Sequence, residues 1–176
     1  GALQKLGLIR LAAYAIDYSV ISIYIAVLVF ANLVLFETET ASSAALIDKV
    51  FGHAIAFATL TFPVWLYFTA QESGGKNATI GKVIFGLKVQ GSVGNPPGLR
   101  SVAVRNLVKF LPWELAHIAI WYVPGRPFLD GMPLPNRLAC IAAMAVGTAY
   151  VAMLFFGKGQ TLYDRLSHTV VIKFRV

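Results

Sequence analysis

Residues 18–36, YSVISIYIAVLVFANLVLF, hold no charged side chain across 19 positions. A helix rising about 1.5 Å per residue needs roughly 20 such positions to cross the hydrocarbon of a bilayer. The stretch reads as the body of a spanning helix, and the chain as a membrane protein. Arg10 and Asp17 stand where the apolar run begins. Ionisable groups are costly to bury in lipid, so two of opposite sign seven positions apart point to a partnered site.

The composition supports this reading over the whole chain. Of 176 residues 57% are apolar and only 13% charged, with a mean hydropathy of +0.69, whereas soluble domains carry about 25% charged residues. A net charge of +7 would suit nucleic acid, but the cations lie between apolar runs and form no basic stripe interleaved with exposed aromatics. Nucleic acid is therefore excluded as a partner. The single cysteine, Cys140, sits in an apolar run, which leaves no disulfide framework and no thiolate metal site. The chain begins at Gly1, as a processed terminus would, and the first apolar run is too long for a removed signal sequence. It is read as mature structure.

Four spans are expected, from about Leu11 to Phe36, Val50 to Ala70, Asn106 to Val123 and Leu138 to Phe156. The first two are joined by a short acidic segment with Glu37, Glu39 and Asp48. The third is interrupted by Lys109, Pro112, Glu114 and His117. Pro63 and Pro112 fall inside spans, where neighbouring groups satisfy the carbonyls that proline frees. Placing both termini and the middle segment on one side gives that side twelve of the fifteen cations, leaving Lys49, Arg126 and Arg137 on the other. The positive-inside rule then sets both termini in the cytoplasm. Trp113, Trp121 and Tyr122 suit an interfacial belt for the third span.

A repeat follows each pair of spans. Gly75-Lys76-Asn77-Ala78-Thr79-Ile80 returns 82 residues later as Gly157-Lys158-Gly159-Gln160-Thr161-Leu162, a shared G-K-x-x-T-[IL] pattern. In the same register Val89 falls on Val171, inside two short β-branched runs of strand character. The halves, about 1–90 and 91–176, would then be parallel repeats about an axis along the membrane normal. Thr79 and Thr161 would each cap a short interfacial helix, and the two runs would pair as strands.

Three blocks carry a resemblance to a known family: Arg10 to Asp17, Gly74 to Lys82 followed by Gly86 to Val89, and Gln160 to Thr169. Together, and in this order, they resemble the RDD family, named for an arginine and two aspartates, here Arg10, Asp17 and Asp164. The resemblance implies a small multi-span protein. Some members are proposed to exchange sodium, lithium or potassium for protons, and others are domains fused to or assembled with unrelated partners. The polar third span, with Lys109, Glu114 and His117, departs from the commonest pattern.

The chemistry of these residues admits two readings. Arg10 and Asp17 share a helix face with about 10 Å of rise between them. Arg10 can snorkel to the phosphate level, while Asp17 must find a cation, a donor or a proton. In an architectural reading Asp17 pairs with an arginine or caps the interfacial helix of Thr161 and Asp164. In a transport reading Asp17 and Asp164 meet near the cytoplasmic mouth, where two close carboxylates with one raised pKa would bind a proton or a monovalent cation. Glu114 and His117, three apart on one face, would form a proton relay or a packed polar pair reached by His53 or Lys109. A second Glu-x-x-His step is lacking, so no di-metal site is expected.

Lys76, Lys82, Lys88, Arg100 and Arg105 make the middle segment basic around a single acid, Glu72. Beside Ile80, Val83, Ile84 and Leu87 they suit an interfacial helix on anionic lipid headgroups. Gly81-Lys82 lacks the spacing of a phosphate loop, residues 91–98 read as a turn-rich loop, His168 reads as a loop residue, and no nucleophile elbow is present. Neither an enzyme nor a cofactor is indicated.

The expectation is an all-α polytopic membrane protein: four transmembrane helices in two pseudo-repeated hairpins, with cytoplasmic interfacial helices and a short strand pair, in a bacterial inner membrane. The leading function is a small transporter exchanging a monovalent cation for protons, with Asp17 and Asp164 as sites, Arg10 as their regulator and Glu114 with His117 as relay. Four spans are few for a transport path, so a homodimer would enclose one. The alternative is a noncatalytic scaffold, accessory subunit or lipid-binding protein.

Overall fold

A computed structural model of the chain describes residues 1–35, 46–125, 130–156 and 158–174. Phe36, Glu37, Glu39, Arg126, Gly157 and Arg175 lie outside the described residues. Helix α1 runs over Ala2–Leu35. Helix α2, Leu46–Ala56, continues through a π turn at Phe57–Thr61 into α3, Phe62–Ser73. After the five-residue α4, Ile80–Ile84, come strand β1, Leu87–Gly91, and α5, Leu99–Trp121. Helix α6, Leu134–Met153, the five-residue α7, Leu162–Leu166, and strand β2, Thr169–Lys173, complete the order.

Three helical segments are long and apolar enough to cross a membrane: Leu3–Val34, Asp48–Ser73 and Leu134–Met153. Only 17%, 11% and 11% of their apolar windows are buried within the chain. Ile23, Val27, Phe30 and Leu33 on α1 are each at least 60% exposed, a contiguous apolar face that a soluble monomer would not leave to water. Helix α5 differs from the expected third span. It begins at Leu99, directly after the Pro96-Pro97-Gly98 stop, and its buried stripe is Val102, Arg105, Asn106, Lys109 and Phe110. That spacing of three and four is the inward face of a helix, here made largely of polar side chains.

The prolines of α3 and α5 both have their freed carbonyls satisfied by named side chains. Proline cannot donate to the carbonyl four residues back, which for Pro63 is Thr59 and for Pro112 is Val108. The Tyr24 hydroxyl donates to the Thr59 carbonyl at 2.5 Å, and the Tyr150 hydroxyl donates to the Val108 carbonyl at 3.0 Å. Each proline is thereby tied to a neighbouring long helix, α1 in the first case and α6 in the second.

The short elements form one layer at an end of the bundle. Thr79 and Thr161 cap α4 and α7, accepting from the backbone N–H of Lys82 and Asp164 respectively. Strands β1 and β2 pair antiparallel with Val89 opposite Val171. Left-handed backbone occurs at Asn77 and Gly159 before the two caps, and at Gly86 and His168 before the two strands. Ala13 of α1, with Leu87, Val89 and Val171, forms a small core under this layer. A second core, Ile21, Val64, Phe68 and Phe110, joins α1, α3 and α5.

Candidate functional site

Helix α1 presents Arg10 and Asp17, both buried, to two different partners. The Arg10 guanidinium donates to the Gly159 carbonyl at 2.7 Å and to Asp164 Oδ2 at 2.9 Å. It is held inside the fold, buried among protein groups. Asp17 accepts from the Thr79 hydroxyl at 2.6 Å, the Gly81 backbone N–H at 2.9 Å and the Tyr67 hydroxyl at 3.3 Å. It completes the N-terminus of α4, where orphan amides favour a carboxylate, not that of α7. Gly81 permits this approach, because a Cβ there would collide with the Ala13 carbonyl of α1.

Asp164 is the third residue of α7 and closes a capping box with Thr161, whose backbone N–H and hydroxyl donate to Oδ2 at 2.9 and 2.8 Å. Its other oxygen, Oδ1, takes the Arg105 guanidinium. Burial pushes this carboxyl up, but Arg105 and Arg10 outweigh burial and hold it well below the usual carboxylate range. Asp17 and Asp164 share no hydrogen-bonding partner among the described residues, so they do not form the shared-proton pair that the transport reading placed at the mouth.

Glu72, seen in the sequence only as the lone acid of a basic segment, is the second hub. Its side chain is fully buried and takes Lys82 Nζ at 2.5 Å, Arg105 Nε at 3.0 Å and Asn106 Nδ2 at 3.3 Å, with Lys109 Nζ at 3.6 Å. Arg105 bridges both acids and also donates to the Thr169 hydroxyl of β2 at 3.0 Å. Lys109 donates to Asn106 Oδ1 at 3.1 Å and lies 3.7 Å from the Phe68 ring centroid. Lys82 and Arg105 are therefore not lipid contacts: they are 1% and 0% exposed and bound to acids. Lys76 and Arg100 are exposed and Lys88 is half-buried, which leaves them accessible. The signal that identified this hub was present in α5. Arg105, Asn106 and Lys109 fall on one face, and a polar stripe in an apolar helix must face protein.

Glu114 and His117 form a separate cluster. His53 Nε2 lies 2.9 Å from Glu114 Oε1, the Thr61 hydroxyl donates to Oε2 at 3.0 Å, and His117 Nδ1 is 3.8 Å from Oε2. Thr61 is delivered by the π turn, a backbone irregularity often found at functional sites. The Tyr122 hydroxyl is 3.4 Å from His53 Nδ1, and the Trp113 ring meets His117 edge to face. His53 reaches Glu114, as anticipated, but Lys109 does not, being drawn to Glu72. Among the described residues no group of three or more His, Cys, Asp or Glu is placed to hold a metal ion.

These features define a small, mostly helical membrane protein whose short helices are locked to the long ones by buried charge. The sequence profile of the RDD family matches residues 8–168, and the chain belongs to that family. No curated protein and no solved structure matches it.

Proposed function

We propose that the chain is a noncatalytic membrane module that binds lipid or a membrane partner. Its four crossing helices form two repeated hairpins, with both termini on the cytoplasmic side of a bacterial inner membrane. The observation that carries this reading is the saturation of the two aspartates. Asp164 accepts from two guanidinium groups and from its own cap, and Asp17 from three fixed donors. A monovalent cation at either would displace those donors and enter a region already richer in cations than in carboxylates, which like-charge repulsion opposes.

The fourth crossing is supported by α5, whose 23 residues span about 35 Å and whose polar stripe faces inward while Leu107, Leu111 and Ile118 are exposed. The repeat is supported by the paired caps, the paired left-handed residues and the strand register, each related by the same 82-residue offset. Orientation rests on the cation asymmetry. Exposed Lys76 and Arg100 fit anionic headgroups.

Cation/proton exchange is the second reading, and the His53–Glu114–His117 cluster favours it, since membrane carboxylate–histidine groups serve as proton relays. A homodimer would enclose the path. Proteoliposomes under an imposed pH gradient test both readings with wild type, Asp17→Asn, Asp164→Asn and Glu114→Gln. The module reading expects no sodium- or potassium-dependent proton movement from folded wild type. Movement that Glu114→Gln abolishes in a folded variant would overturn it.

A further inference from the structure

The ion network joining Arg10, Lys82, Arg105 and Lys109 to Glu72 and Asp164 holds four cations against two carboxylates. All six are buried, where an uncompensated charge costs several kcal/mol. Asp17, held by the neutral donors of Tyr67, Thr79 and Gly81, adds one negative charge nearby and leaves a net excess of one positive charge. Among the described residues two buried nitrogens, Arg10 Nε and Arg105 Nη2, have no hydrogen-bond partner. The centre of the fold thus carries excess positive charge, which an anion held beside it would offset.

One cavity adjoins this centre. Helix α1 docks chiefly on α4, while α5 packs on α3 and α6, and the gap between α1 and the α5–α6 pair is a cavity of about 380 Å³. It lies within the usual range for small-ligand sites, about 300–1,000 Å³. Its polar end is made by Lys109, Tyr14 and Tyr163, and its apolar wall includes Leu11, Pro112 and Gly147. The Tyr14 and Tyr163 hydroxyls are 2.6 Å apart, the Tyr163 ring lies 5.1 Å from the Arg105 guanidinium carbon, and Lys109 Nζ lies 5.4 Å from the Tyr14 ring centroid. Of the four cations only Lys109 lines the cavity, and Arg105 packs against the Tyr163 ring that does. Tyr18 and Val151, on opposite walls, are each 46% exposed, so the mouth opens sideways on the lipid-facing surface.

We infer that this cavity between α1, α5 and α6 is a binding site for one anionic phospholipid, its phosphate received by Lys109, Tyr14 and Tyr163 and an acyl chain laid along Gly147 and Pro112. The inference rests on the lipid-binding reading above and gives it a site distinct from the basic surface of Lys76, Lys88 and Arg100. A phosphate monoester headgroup, negative at neutral pH, complements the net positive charge of this centre. The side-facing mouth and apolar wall select a lipid over a free anion.

Gly147 supplies a clean test, because a Cβ built there meets nothing within 4 Å and leucine is a better helix former than glycine. Gly147→Leu fills the wall without touching the ion network. Delipidated full-length protein in neutral detergent would be titrated with dioleoyl phosphatidic acid, dioleoyl phosphatidylcholine or inorganic phosphate, and the thermal midpoint followed. Ligand binding to the native state raises that midpoint in proportion to occupancy. The site requires a saturable rise with phosphatidic acid, little with the other two probes, and loss of the rise in Gly147→Leu, whose own midpoint stays at or above wild type. Lys109→Gln should weaken the response to phosphatidic acid at least tenfold in concentration. An equal response in wild type and Gly147→Leu would overturn the cavity site while leaving lipid binding at the basic surface intact. A full response to inorganic phosphate would overturn the lipid as occupant, and no response to any probe would overturn both the site and the lipid-binding reading.

Discussion

Helices α4 and α7 are each five residues long, each begins after a capping threonine, and each follows a left-handed residue two positions before the cap. Yet the third residue is Lys82 in one and Asp164 in the other, and the carboxylate at each cap has a different origin. The Thr79 hydroxyl donates to Asp17 of α1, whereas the Thr161 hydroxyl donates to Asp164 of its own helix. The shared backbone needs only a cap and two special turns. Which charge each helix carries is decided by what α1 offers it, an aspartate to α4 and an arginine to α7. The seven-residue spacing of Arg10 and Asp17 thus sets about 10 Å between two docking points on one rail.

The sharpest way to break this comparison is to remove the charge unique to α7. Asp164→Asn leaves Arg10 buried without its carboxylate and Arg105 with Glu72 alone, and should cost about 3–5 kcal/mol, read as a lowered unfolding midpoint in detergent. Acid should act through the same group. Because the folded carboxyl lies below its ordinary value, its contribution is complete above the unfolded value near 3.9 and is lost as pH falls below it. A midpoint series from about pH 5 down to about pH 1 should show a steep acid limb in wild type and a shallower one in Asp164→Asn. If the two limbs coincide, Asp164 is not the group that fails.

Gly81→Ala probes the other docking point with a smaller effect. The added methyl meets the Ala13 carbonyl and should cost about 1–3 kcal/mol by overpacking, with hydrogen exchange rising in α4 and β1 before α7. Uniform loss of protection would mean that the two short helices do not dock separately. Lys82→Met should change least. Glu72 keeps Arg105, Asn106 and Lys109, and removing one of four cations relieves the excess, so the midpoint should move by about 1 kcal/mol or less. A loss as large as that of Asp164→Asn would make the two third positions equivalent.

The layer of short elements was legible because its signals are local. A threonine before an apolar turn caps it, a β-branched run pairs, and a proline frees a carbonyl that a neighbour must satisfy. The two tyrosines that satisfy Thr59 and Val108 were not legible, since only packing brings them there. Glu72 was missed for a related reason. Counting charges by segment treats Lys82, Glu72 and Arg105 as a basic surface, but their burial depends on how α3 and α5 turn toward each other. The placement of Asp17 beside Thr79 rather than Asp164 is also tertiary: both aspartates lie at threonine caps, and only the close approach at Gly81 tells which cap belongs to α1.

The bond between Arg10 and Asp164 spans 154 residues of chain. At roughly 5–20 residues per second of synthesis, the arginine leaves the ribosome about 8–30 s before its acid exists. Throughout that interval α1, α3, α5 and α6 are made in turn, and the guanidinium groups of Arg10 and Arg105 have no Asp164 to close upon. The charge lock is therefore also a clock. Helices inserted early stay free to adjust against one another, and the arrangement is fixed only when α7 arrives.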